Sequence, residues 1–144
     1  MRLALTRRGD YAVRAMLALG RAGGARLSTP VMAAAMNIPV RFLPQVMGDL
    51  NRAGLVRSRA GRQGGHELAR PPETISLLTI IEAVEGNSPR RTCVLRGGPC
   101  RRAGVCEVHQ VFGSAQDALR GQLAAVSLGS LSTPAQLADA RPES

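Results

Sequence analysis

The feature that most constrains this chain is a run of structural punctuation between residues 28 and 72, where helix starts, helix stops and glycine-rich turns follow one another closely. Ser28-Thr29-Pro30 places a capping hydroxyl ahead of a proline in the first turn and opens a short helix through about Met36. Asn37-Ile38-Pro39 makes a tight turn into a third helix over roughly Val40 to Arg52, which Ala53-Gly54 ends. Two short helices across a three-residue turn form the helix-turn-helix pattern, with an ordinary helical hairpin as the competing reading. Leu55-Val56-Arg57-Ser58-Arg59 alternates like a strand, residues 60–65 are a glycine-rich turn, and His66-Glu67-Leu68-Ala69-Arg70 reads as the return strand. A hairpin directly behind a helix-turn-helix predicts a winged helix, and Pro71-Pro72 closes it. Residues 1–72 therefore read as one domain.

Around this unit the pattern is helical. Thr6 caps a first helix running to about Gly20, whose apolar face is Tyr11, Ala12, Ala15, Met16 and Leu19. Ser76 caps a fourth helix closed by Gly86, which places a connecting helix in residues 73–89. Residues 87–106 read as irregular, and a long helix follows from about Glu107 to Ala125. Residues 107–132 are read as a dimerisation helix with a closing stretch, and 133–144 as a flexible polar tail. Aromatic residues are only 2% and Trp is absent, so the core must be built from aliphatic side chains and Met, which suits packed helices. The expected fold class is mainly α with a small β-hairpin: a winged helix-turn-helix plus a long C-terminal dimerisation helix.

Charge assigns the two halves different work. All 19 basic residues are Arg; residues 1–70 hold 12 of them against Asp10, Asp49 and Glu67, whereas residues 71–144 hold seven against seven acids. The formal excess of +9 thus belongs to the first half, as expected of a polyanion-binding unit joined to a part that dimerises or senses. The N-terminal residues of a recognition helix reach base edges, here Val40, Arg41 and Gln45, with Pro44 removing one backbone donor in that first turn. On the hairpin, Arg57, Arg59, Arg62 and Gln63 can follow the phosphate backbone or enter the minor groove, although each Arg also suits a solvated surface.

Other classes fit poorly. The glycine-rich tip lacks a Gly-Lys-Ser/Thr ending, and no hydrolase, zinc-protease or dinucleotide motif accompanies the two histidines, His66 and His109. An enzyme with a small-molecule substrate is not expected. No run of about 18 apolar residues and no signal-peptide pattern occurs, so a soluble, cytoplasmic chain without a membrane partner is expected.

Cys93, Cys100 and Cys106 lie within 14 residues and are followed by His109. Cys106 and His109 are i and i+3 on a predicted helix, able to address one metal centre. Thiolates suit iron–sulfur clusters or zinc, and Gly/Pro spacers let a loop wrap a cluster. Arg90, Arg91, Arg96, Arg101 and Arg102 flank the thiols in sequence, and positive charge of this kind favours thiolates and would help offset an anionic cluster. Paired Cys-x₂₋₄-Cys knuckles, the usual zinc signature, are absent; a dithiol switch or incidental thiols are the plainer alternatives.

Met1-Arg2-Leu3, residues 9–16 (GDYAVRAM), Ala53-Gly54-Leu55-Val56, residues 64–69 (GGHELA), the Cys-x₆-Cys-x₅-Cys-x₂-His segment and residues 126–131 (VSLGSL) together resemble the IscR-type (Rrf-two) family of bacterial winged-helix regulators. The resemblance implies a homodimer on palindromic double-stranded DNA, regulated by an iron–sulfur cluster that senses redox state, nitric oxide or iron supply. It further implies a 2Fe–2S cluster on Cys93, Cys100, Cys106 and His109. Nitric-oxide-sensing members imply another scheme, a 4Fe–4S cluster with an aspartate from the partner's first helix, and Asp10 stands at that position. This sequence departs from the family in three places. Ala60 stands where a wing Arg is usual, with Arg59 or Arg62 able to substitute, and Pro44 where an acidic base-reading residue is usual, which implies an altered operator; His66 stands where Tyr is usual. The alternative is a thiol- or zinc-based interaction protein or redox switch of the same fold.

Overall fold

Thr6 sits in extended backbone and its hydroxyl accepts from the Gly9 amide at 3.1 Å, which starts α1 (Arg7–Arg21). The computed structural model describes residues 3–86, 92–93, 98–99 and 107–132. Ser28 caps α2 (Thr29–Met36) in the same way, accepting from Val31, and Asn37 ends that helix in the left-handed region at φ 53°.

The recognition element differs from the expected single helix over Val40–Arg52. Val40–Phe42 is a 3₁₀ turn, and α3 (Leu43–Arg52) begins only behind it. Pro44 is the cause: it has no N–H to give the Val40 carbonyl in an α-helical bond, so the Leu43 N–H takes that carbonyl instead.

The wing is β1 (Val56–Arg59) antiparallel to β2 (Gly65–Leu68), with Val56 opposite Leu68 and Arg59 opposite Gly65. The return strand therefore starts one residue earlier than expected and releases Ala69 and Arg70. Gly65 can join it because φ is +137°, where a side chain is strained; a Cβ would also lie 2.8 Å from the Leu27 carbonyl oxygen. Pro72–Thr74 is a further 3₁₀ turn, and Ser76 caps α4 (Leu77–Glu85), which Gly86 closes at φ 83°.

In the segment expected to be irregular, β3 (Thr92–Cys93) pairs with β4 (Gly98–Pro99), Cys93 opposite Gly98. The long helix α5 (Glu107–Ala125) has the expected bounds. Behind it the chain returns to the winged domain: the Leu77 amide donates to Val126, Leu128 donates to Ile75, and α6 (Leu128–Leu131) packs on α1.

One core binds these elements. Met16 and Leu19 of α1, Met32 of α2, Leu43 and Leu50 of α3, Leu55, Ile80 of α4 and Leu128 are all buried. Each such side chain contributes roughly 1.5–3 kcal/mol by leaving water. Leu128 means that the closing stretch completes the core of the head. The mainly helical architecture with one wing hairpin is the expected winged helix-turn-helix. Among the described residues, no helix is long and apolar enough to cross a membrane.

Candidate nucleic-acid interface

The three acids of the head are all taken by arginines. Asp49, buried in α3, holds both Arg8 of α1 and Arg52. Asp10 accepts from Arg14 through both oxygens, Oδ1 at 2.9 Å and Oδ2 at 2.6 Å. Glu67 of the wing lies 3.4 Å from the Arg26 guanidinium. Arg57 and Arg70 spend a donor on the carbonyls of Ala69 and Thr74. Arg7, Arg41, Arg59 and Arg62 make no hydrogen bond or ion pair with a described residue. The positive excess is thereby concentrated on the recognition turn, the start of α1 and the wing.

Each predicted contact residue is on that surface. Val40 is 53% exposed on the 3₁₀ turn, beside exposed Arg41, and Gln45 is exposed in the first turn of α3. Arg57 and Arg59 are exposed on β1, and Arg62 and Gln63 at the tip, where the Gly64 amide donates to Gly61 and tightens the turn. The Arg57 and Arg59 side chains line a cleft of about 390 Å³ with Arg26, Asn51, Ser58 and Glu67.

His66 ties the wing to the helix-turn-helix. Its backbone exchanges hydrogen bonds with Leu27, 2.8 and 2.9 Å. Its Nδ1 lies 2.7 Å from the Ser58 hydroxyl, and its Nε2 lies 3.0 Å from the hydroxyl of Thr29 at the start of α2. Burial pushes the ring pKa below the ordinary 6.5, so the neutral imidazole is favoured there.

The predicted cluster ligands are placed only in part. Cys93 is in β3, as far as its backbone is concerned, and His109 is half-buried in the first turn of α5. Cys100 and Cys106 lie outside the described residues, as do the five arginines between residues 90 and 102 and the polar tail at 133–144. Among the described residues, no group of three or more His, Cys, Asp or Glu side chains converges.

The family described as iron-dependent transcriptional regulators, Rrf2, matches residues 5–134 of this chain. The chain belongs to the Rrf2 family. Its relatives are named as transcriptional regulators, a non-enzymatic role. An HTH-type regulator of Neisseria meningitidis is 33% identical over 130 residues, 88% of this chain and 86% of that protein. An HTH-type regulator of Mycobacterium tuberculosis is 41% identical over 83 residues, 57% of this chain. That match spans about half, 52%, of the mycobacterial protein. Among solved structures, T. potens IscR superposes with a TM-score of 0.78 at 26% identity, covering 96% of this chain and 93% of that one. The B. subtilis global cysteine regulator CymR gives 0.76 at 26% identity, covering 91% and 97%.

Reading the sequence of this Rrf2 protein for helix-turn-helix contacts overlooks two residues, Arg7 and Phe42. The Phe42 ring, half-buried, lies 5.3 Å from the Tyr11 ring and under two guanidinium groups, Arg41 at 4.8 Å and Arg7 at 6.0 Å. A signal was present: Arg7 opens α1, where the helix dipole disfavours a cation.

Proposed function

We propose that this chain is a homodimeric DNA-binding transcription regulator whose operator affinity is set by an iron–sulfur cluster. The observation that carries the DNA reading is the charge partition, with Arg41, Arg59 and Arg62 left unpaired among the described residues while the head's acids hold other arginines. Val40, Arg41 and Gln45 would meet base edges in the major groove, and Arg57, Arg59, Arg62 and Gln63 the backbone or minor groove beside it. A second copy docking along α5 is supported by its exposed Val108, Val111 and Leu119. Two heads so joined would match a palindromic site.

For the sensor, three thiolates and an imidazole suit a 2Fe–2S cluster, with Cys93, Cys100, Cys106 and His109 as ligands. Asp10, the fourth ligand of the 4Fe–4S alternative, has both oxygens engaged by Arg14, which favours His109. A bound cluster supplies a centre that oxidants, nitric oxide or iron shortage can alter. This chain's part is transmission. Glu85, at the end of α4, accepts from the Thr6 amide at 2.7 Å and the Thr6 hydroxyl at 2.6 Å, and so holds the cap of α1. Arg8, two residues on, reaches Asp49 of α3. A change in the segment after Glu85 thus reaches the recognition element as a coupling free energy.

The likeness to B. subtilis CymR, named as a cysteine regulator, and to an oxidised form of Staphylococcus aureus CymR, at a TM-score of 0.72, favours a second reading, a thiol switch without a cluster; zinc held by the thiols is its variant. Protein purified without oxygen separates these by its visible spectrum with iron, zinc and sulfide analysis. Iron with matching sulfide is expected, and the iron count decides between the His109 and Asp10 schemes. Zinc, or neither metal, overturns the cluster. For the head, Arg62→Gln should flatten the slope of log affinity against log salt by about 0.9 on duplex DNA. Unchanged binding at every salt concentration overturns the wing contact.

A further inference from the structure

We infer that Phe42 is a positioning residue for two guanidinium groups, and that Arg7, from outside the helix-turn-helix and wing, is thereby a phosphate contact. The inference rests on the DNA-binding reading above and deepens it.

Phe42 ends the 3₁₀ turn that Pro44 imposes, and its ring packs against Tyr11 of α1. Fixed in this way, the ring presents a π surface to Arg41 and Arg7 at 4.8 and 6.0 Å. A cation–π contact holds a guanidinium by its charge and leaves most of its five N–H donors available. Neither Arg41 nor Arg7 spends those donors on a described residue. The neighbouring Arg8 makes the contrast. It opens the same helix and is neutralised by Asp49, whereas Arg7 is a cation at the unfavourable end of α1 that forms no ion pair with a described residue; Asp10, in the same first turn, is taken by Arg14. Both exposed cations are thus held about one aromatic ring at the recognition turn, with no hydrogen bond or ion pair to a described residue, an arrangement that a polyanion stabilises. Duplex DNA is the polyanion that the adjoining recognition turn and wing select. Holding both side chains ahead of binding also reduces the rotamer entropy lost when they engage phosphate.

The test uses the full chain and a fluorescein-labelled random-sequence 30-base-pair duplex, with anisotropy titrations over a series of salt concentrations. Arg7→Gln should reduce the salt slope by about 0.9, one phosphate contact. Phe42→Leu keeps both cations, so the slope should hold while affinity at fixed salt falls about two- to fivefold, the worth of an exposed cation–π contact. Phe42→Tyr should restore it. If Phe42→Leu fails to fold, Arg7→Gln and Phe42→Tyr still decide: an Arg7→Gln slope equal to that of the unsubstituted protein overturns the inference. So does a Phe42→Leu protein that folds and binds undiminished. Should Arg62→Gln flatten the slope while Arg7→Gln does not, this inference fails and the wing contact survives. Should the unsubstituted protein show no salt-dependent binding, the DNA-binding reading fails with it.

Discussion

Replacing Asp49 by Asn should weaken the fold and strengthen DNA binding together. The Asp49 side chain is only 8% exposed, and each of its oxygens holds a guanidinium, Oδ2 that of Arg8 from α1 and Oδ1 that of Arg52 one turn along α3. Asparagine keeps the volume and one acceptor, but turns an amide donor toward the second guanidinium. One hydrogen bond to a charged group, roughly 1.5–3 kcal/mol, is therefore lost at the junction of α1 and α3. The arginines discount that figure. Arg8 is 46% and Arg52 75% exposed, so water re-solvates whichever is released, leaving a net cost of about 1–2 kcal/mol. For a chain of this size that is a melting-temperature loss of about 2–8 °C. Meanwhile the head gains one unit of net positive charge, and neither guanidinium flanking the recognition element is paired with an anion any longer. Affinity for random duplex DNA should rise at low salt and return to the unsubstituted value at high salt. Thermal melts followed by circular dichroism, with anisotropy titrations at two salt concentrations, read both effects. A variant that melts no lower refutes the carboxylate as the α1–α3 link. One that melts lower yet binds random duplex no better at low salt refutes the claim that it withholds charge from the DNA surface.

Gly64→Ala should open the wing tip, because a Cβ there falls on the Arg59 carbonyl and lies 2.8 Å from the Ala60 carbonyl carbon, backbone that cannot swing aside. Displacing Arg59 and Arg62 should cut the salt slope by about 1–2 with little change in melting temperature; a slope equal to that of the unsubstituted protein contradicts the assignment. His66 gives a pH dependence. Its folded pKa is below 6.5, so above that value both states are neutral and the wing anchor is at full strength. As pH falls through 6.5 the unfolded chain takes the proton first, and stability drops toward the folded pKa. Urea midpoints of His66→Tyr at about pH 7.5 and 5 should differ less than those of the unsubstituted protein. An equal difference places the effect elsewhere. Cys100→Ala should abolish visible absorbance from a cluster and leave the far-ultraviolet spectrum unchanged; retained absorbance removes Cys100 from the ligand set.

What the sequence made legible was whatever depends on near neighbours. The capping hydroxyls of Thr6, Ser28 and Ser76 act within three residues, and the helices start where those residues predict. Gly86 and the bounds of α5 are local in the same sense. The split of the recognition helix was half legible. Pro44 announces a missing donor, but the competition in which Leu43 takes the Val40 carbonyl is settled by three-dimensional geometry. The early start of β2 was not legible, because what admits Gly65 to the strand is the backbone of Leu27, 38 positions earlier, at 2.8 Å. Leu128 reads as part of a closing stretch, yet it is 1% exposed in the head's core, a contact across more than 100 residues for example with α1.

The candidate interface divides along the same line. Composition puts a charge of +9 on the first 70 residues, and a hairpin behind a helix-turn-helix says where such charge is useful. It cannot say which of the arginines are free to use it. That follows from three carboxylates and their tertiary reach. Asp49 takes an arginine from another helix, 41 positions away, and Glu67 takes Arg26 from the loop before α2. Asp10 pairs wholly within its own helix, with Arg14 at i+4, where sequence spacing predicts it. Had Asp49 faced away from both, Arg8 and Arg52 would join the unpaired cations, and the field would spread along α1 and α3 instead of concentrating at the turn and the wing tip. One buried acid therefore shapes the interface without touching a ligand. Its pattern in sequence, an aspartate three residues before an arginine, is indistinguishable from an ordinary surface pair. Burial is what gives it a second partner and a function.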